Sequence, residues 1–95
     1  MKLIVRTATV ECFGDQMTFD VTVIIDENED HCQFIFKPAP ELSVKYAMPE
    51  VGFTVDADMK NRVKNIQVLL PNPQLAKELS DCIEHYIKTF DQKKL

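Results

Sequence analysis

Apolar and polar positions alternate with period two through the first seventy residues, and the last twenty or so repeat with a period near 3.6. The clearest strand runs from Met17 to Asp26. There Met17, Phe19, Val21, Val23 and Ile25 alternate with Thr18, Asp20, Thr22, Ile24 and Asp26. A polar turn, Glu27-Asn28-Glu29-Asp30, leads into His31–Lys37, with Cys32, Phe34 and Phe36 on one face. Pairing Asp26 with His31 sets Ile25 against Cys32, Val23 against Phe34 and Val21 against Phe36. The large apolar groups of these pairs then lie on one side, which is what fixes a register.

The same face-matching extends in both directions. Cys12 against Met17, across Phe13-Gly14-Asp15-Gln16, pairs Val10 with Phe19 and Ala8 with Val21. Pro38 and Pro40 interrupt the ladder, because proline has no N–H to donate. Leu42, Val44, Tyr46 and Met48 resume the alternation, with Phe36 set against Leu42. Met48 against Val51 then pairs Tyr46 with Phe53, and Met59 against Arg62 pairs Val55 with Ile66. The expectation is an α+β fold built on a six-stranded antiparallel meander. Its strands cover about 2–12, 17–26, 31–37, 42–48, 51–59 and 62–70.

Pro71-Asn72-Pro73 ends the sheet. Asn72 suits an N-cap and Pro73 the first helical position. Leu75, Ala76, Leu79, Cys82, Ile83, Tyr86, Ile87 and Phe90 form an apolar stripe on one amphipathic helix, expected over about 73–92. Lys93 and Lys94 follow it, suited to the negative end of the dipole. Six strands span roughly 24 Å and a helix covers about 10–12 Å, so one helix covers the face only if it crosses diagonally or the sheet curls. In strand order alone, a curled meander closed by a C-terminal helix resembles a pleckstrin-homology-like half barrel. No family motif accompanies the resemblance, and the seventh strand is missing.

Length and composition bound this picture. Ninety-five residues and 10.9 kDa make one domain, 1–95, with 45% hydrophobic and 27% charged residues. The net charge of −4 disfavours nucleic acid, which wants a basic footprint. No apolar run is long enough for a membrane span or a secretory leader. Cys12, Cys32 and Cys82 are odd in number and widely spaced, which reads as free thiols in a reducing cytoplasm.

Four residues break the one-face rule. The expected registers place Leu3 and Val5 on the face away from the helix, Val5 opposite Ile24, with Ile35 diagonal to Ile24. Scattered surface residues, a curled sheet or a bulge in the first strand would make this apolar cluster unremarkable. The functional reading is a partner patch or an isologous homodimer contact. Arg6 falls on the helix side beside Val23. It sits there by snorkelling at a sheet edge, by a bulge near Arg6-Thr7, or as an ion-pair or anion site.

Chemistry-bearing motifs are sparse. Asp26-Glu27-Asn28-Glu29-Asp30 holds a D-x-N-x-D, but His31 replaces the glycine and Lys37 the glutamate of a calcium loop. It reads as a solvated hairpin tip or, more sharply, as an acidic docking loop formed by Asp26, Glu27, Glu29 and Asp30. Cys82 and His85 are neighbours on the helix, yet two ligands do not make a structural zinc site, and His31 and Cys32 point to opposite faces. Asp81 and His85 read as a surface pair. All three cysteines fall on expected core faces, which disfavours a thiolate nucleophile. The expected function is a small non-catalytic protein-interaction domain (adaptor, inhibitor or accessory subunit), with no cofactor or metal and another protein as partner. The alternatives are a small-ligand or lipid-headgroup site in a curled barrel, with Arg6, Lys37 or Lys64 at its rim, and a cysteine-dependent enzyme.

Overall fold

A computed structural model describes residues 1–92 of the chain. Five strands form one antiparallel sheet in sequence order: β1 (Lys2–Cys12), β2 (Asp15–Asp26), β3 (His31–Pro38), β4 (Phe53–Ala57) and β5 (Val63–Asn65). A short helix α1 (Pro40–Tyr46) lies between β3 and β4, and the long helix α2 (Pro73–Lys88) follows β5. β1 and β5 are the sheet's edges, and among the described residues no strand joins them, so the sheet is not closed into a barrel. One face of the sheet carries the core, where Phe19, Val21, Val23, Phe34, Phe36 and Val55 meet Leu75, Leu79, Ile83 and Ile87 of α2.

The expected β2–β3 register holds throughout: Asp26 faces His31, Val23 faces Phe34 and Val21 faces Phe36. The β1–β2 pairing keeps the expected faces but moves by two residues. Val10 faces Met17, and Cys12 faces Asp15. The four-residue loop contracts to a two-residue turn, because Phe13 and Gly14 both take positive φ, 56° and 71°. That geometry matches the right-handed twist of the flanking strands and leaves Asp15 and Gln16 free to pair.

The expected fourth strand, 42–48, is instead α1. Pro40 starts the helix, Glu41 sits in its first turn and Lys45 in its last, and Ala47 ends it in the left-handed region. Leu42 and Tyr46 are four apart, so a helix also brings both inward, while Val44 turns out to solvent. β4 therefore pairs directly with β3, setting Phe36 against Phe53 and Phe34 against Val55.

The expected sixth strand survives only as β5. Asp56 faces Asn65 as anticipated, but a register shift between Asp56 and Ala57 sets Ala57 against Val63 rather than Lys64. Residues 66–70 run on without strand pairing, yet Val68 is buried and Ile66 and Leu70 still touch the core. α2 begins as expected: the Asn72 side chain accepts from the N–H of Gln74 at 3.0 Å and of Leu75 at 3.2 Å. Its last turn closes earlier than 92, with Thr89 N–H donating to the His85 carbonyl. Lys93 and Lys94 lie outside the described residues.

Candidate functional site

Two surfaces of β1 stand out, its outer face and its free edge. The side chains of Leu3 and Val5 alternate with those of Ile4 and Arg6, so they point away from α2. The β1–β2 ladder runs from Lys2 to Cys12 without a bulge, so neither turns inward. Leu3 is 64% exposed and Val5 62%, whereas Ile24 and Ile35 are half-buried. The shifted register changes their neighbours: Leu3 faces Ile24, while Val5 faces Thr22, which in turn faces Ile35. Val5 and Ile35 are thus both diagonal to Ile24, and the four residues remain one apolar cluster around Thr22. No described element packs over this face.

Arg6 faces Val21, not Val23, and is half-buried on the edge strand. Its Nη1 donates to the Val5 carbonyl at 3.1 Å. Arg6 thus lies on an edge strand with its side chain on the helix side of the sheet, where a long stem can cover apolar surface while its head reaches water. Its charge reaches Tyr86, whose phenol is pushed up by burial and drawn partly back by Arg6.

The acidic tip is anchored rather than loose. Asp30 takes φ 49°, and its Oδ1 accepts from Met59 N–H at 3.0 Å, joining the β2–β3 tip to the β4–β5 turn. Glu27 and Glu29 are exposed, and Asp26 is half-buried. Nearby, Asp58 is buried and organises the β4–β5 turn. Its Oδ1 accepts from the N–H groups of Lys60 and Arg62, both at 2.9 Å, and its Oδ2 from Arg62 Nε at 2.6 Å. These donors hold its carboxyl below its ordinary range, led by the Arg62 N–H. At the other end of the sheet, Asp15 Oδ2 accepts from Lys45 Nζ at 2.9 Å and Tyr46 Oη at 2.7 Å, which likewise lowers Asp15 and raises both partners.

Both carboxylates stabilise the fold fully above the unfolded carboxyl value of about 3.9, and that contribution is lost as pH falls through their lower folded values. The urea midpoint is therefore expected to hold from neutral pH to about 4 and to fall below it. Asp58→Asn is expected to lower the midpoint at neutral pH and to shallow the acid decline. An unchanged acid decline in that variant would assign the loss to other groups.

Cys12 and Cys32 lie inward as the alternation placed them, whereas Cys82, expected on a core face, sits at its margin. Cys12 and Cys32 are buried, and Cys82 is half-buried on the α2 flank, its Sγ 3.4 Å from the Glu11 carbonyl oxygen. Burial, with the Cys82 thiol and Glu78 beside it, pushes Cys12 up to about 12; burial also raises Cys32. His31 Nε2 lies 3.0 Å from Asp56 Oδ1 on the outer face, while Cys32 points into the core. Among the described residues, no group of three or more His, Cys, Asp or Glu side chains is placed to hold a metal. No helix of the described residues is long and apolar enough to cross a membrane.

The rim residues weighed for a ligand site do not converge. Lys37 lines an open hollow of about 600 Å³ with Pro38, Pro40, Ser43, Glu50 and Val51, and neither Arg6 nor Lys64 is among its described lining residues. A second hollow, about 460 Å³, runs between the free edge of β1 and α2. The alternation did not point to it, because a pattern of faces says nothing about how far α2 stands from the edge of the first strand. In comparisons with known proteins, no family model matches the chain, and no curated protein or solved structure matches it.

Proposed function

We propose that this chain is a non-catalytic protein-interaction domain that docks through the outer face of its sheet, with Leu3, Val5, Ile24 and Ile35 as the contact. The carrying observation is the exposure of Leu3 and Val5 beside Ile24 on a face that no described element covers. Contiguous apolar surface rimmed by polar residues marks such contacts, and Thr7, Asp20, Gln33 and Thr54 provide the rim through the same registers. The buried, protonated Cys12 thiol supports the non-catalytic part of the reading, since a nucleophile needs an accessible thiolate. A homodimer is the simplest form, because a two-fold axis sets the same patch against itself.

The test is Val5→Lys combined with Ile24→Lys, read by light scattering for mass and by thermal unfolding. The expected result is a dimeric parent and a folded, monomeric variant. An unfolded variant would make these side chains core and end the reading. A monomeric parent would end the homodimer form and leave a heterologous partner, to be sought by comparing capture on parent and variant.

A further inference from the structure

The hollow between β1 and α2 has one feature that the outer face lacks: an open row of backbone hydrogen-bonding groups. In a two-residue hairpin the pair flanking the turn, here Cys12 and Asp15, exchanges both backbone hydrogen bonds. Alternation then turns the N–H and C=O of Lys2, Ile4, Arg6, Ala8, Val10 and Cys12 toward β2. Those of Leu3, Val5, Thr7, Thr9 and Glu11 turn toward the free edge. Two side-chain bonds agree with this assignment: Arg6 Nη1 reaches the Val5 carbonyl and Cys82 Sγ the Glu11 carbonyl. Among the described residues, no strand pairs with this edge.

Arg6 covers the edge at Val5, an inward-facing charge of the kind that discourages two identical edges from joining. The stretch from Thr7 to Glu11 keeps its Thr7 and Thr9 groups and the Glu11 N–H directed outward. There α2 forms a second wall through Asp81, Cys82, His85 and Tyr86. A strand edge beside a helix is the geometry in which an extended peptide adds to a sheet. Charge selects the peptide. Glu11 and Asp81 line the hollow, and no lysine or arginine is among its described lining residues. Among the described residues, Asp81 meets a single long ion pair, with Lys77 at 3.8 Å between two exposed side chains, which answers little of its charge. Glu11 points to the outer face and Asp81 lies on the helix, so alternate side chains of an added strand find a carboxylate on either side.

We propose that the groove between the Thr7–Glu11 edge of β1 and α2 takes an extended, lysine- or arginine-bearing segment of another protein as a sixth strand. This rests on the protein-interaction reading but uses a different surface from the outer-face cluster. The probe is a synthetic peptide of about nine residues alternating Lys and Val, matched to a Glu-Val peptide, each titrated into the ¹⁵N-labelled chain. The expected result is a shift of the Thr7, Thr9 and Glu11 amides and of residues 81–89 by the Lys peptide, with far weaker effects from the Glu peptide. Thr9→Pro removes one outward N–H and leaves the β2 ladder intact, and it is expected to weaken binding at least about tenfold. Asp81→Lys, on an exposed helix flank, is expected to weaken it several-fold and decides the matter should the proline variant misfold. The Val5→Lys/Ile24→Lys protein is expected to bind the peptide as the parent does, so loss of the outer-face contact and loss of the groove are read separately. Equal binding of both peptides, a footprint on the outer face, no binding, or undiminished binding by both groove variants would overturn the proposal.

Discussion

Gly52→Ala is expected to lower the unfolding free energy by about 2–5 kcal/mol, from left-handed backbone strain of about 1–2 and overpacking of about 1–3. Gly52 takes φ 83° at the close of the Pro49–Gly52 turn, its N–H donating to the Pro49 carbonyl at 2.9 Å. It leads into Phe53, which pairs with Phe36, and this brings the Gly52 Cα against the Phe36 backbone. A Cβ there would overlap the Phe36 carbonyl oxygen and lie within 2.9 Å of the Lys37 Cα. Backbone cannot rotate aside as a flexible side chain can, so β3 and β4 must part. The control is Gly14→Ala at φ 71°, where an added Cβ meets nothing within 4 Å. That change carries strain alone, about 1–2 kcal/mol. Chemical denaturation of both variants checks the ranking, and equal losses would show that the close approach at Gly52 is relieved. Against a total of about 5–14 kcal/mol for a domain of this size, the Gly52 loss is a large share.

The chain's two glycines mark places where the sequence was partly legible. Gly14 pointed to a turn, but its length depended on Phe13 accepting positive φ, which a bulky residue rarely does and which no alternation pattern reveals. The shift moved every β1 partner by two, so the faces were readable and the exact neighbours were not. β2–β3 was readable in full: parity fixes only the face and leaves registers two apart equivalent, but the polar tip Glu27–Asp30 singled out Asp26 against His31, the pairing observed. At 42–48 the same logic misled. Leu42 and Tyr46 satisfy period two and spacing four alike, and the helix signals were local: Pro40, Glu41 and Lys45 around a seven-residue segment. For the outer-face residues, parity sufficed to place Leu3 and Val5 outward. The meander order already made the first strand an edge unless the sheet closed; that it stays open, leaving the Thr7–Glu11 backbone unpaired by any strand among the described residues, is a property of the whole topology.

Phe34→Ala is expected to cost about 3–5 kcal/mol, the usual range for removing a buried aromatic side chain. Phe34 is fully buried at the centre of β3, between Val23 on β2 and Val55 on β4. Its ring stacks with Phe36 at 6.4 Å between centroids and meets Phe90 edge-on at 5.4 Å. Cross-strand neighbours and α2 hold the surrounding backbone, so the site cannot collapse and the removed volume persists as a cavity. Ile35→Ala, one residue along, is expected to cost far less, about 1 kcal/mol, because its side chain lies half-exposed on the opposite face. The pair therefore separates two roles within one strand. Stability measured by denaturation should fall sharply for Phe34→Ala and little for Ile35→Ala, while mass or partner binding measured on folded protein should respond to Ile35→Ala. Comparable stability losses for the two would place Ile35 in the core and remove it from the contact surface. A small loss at Phe34 would mean that Phe36 and Phe90 close over the gap, and the aromatic cluster would then be a looser support for β3 than its packing implies.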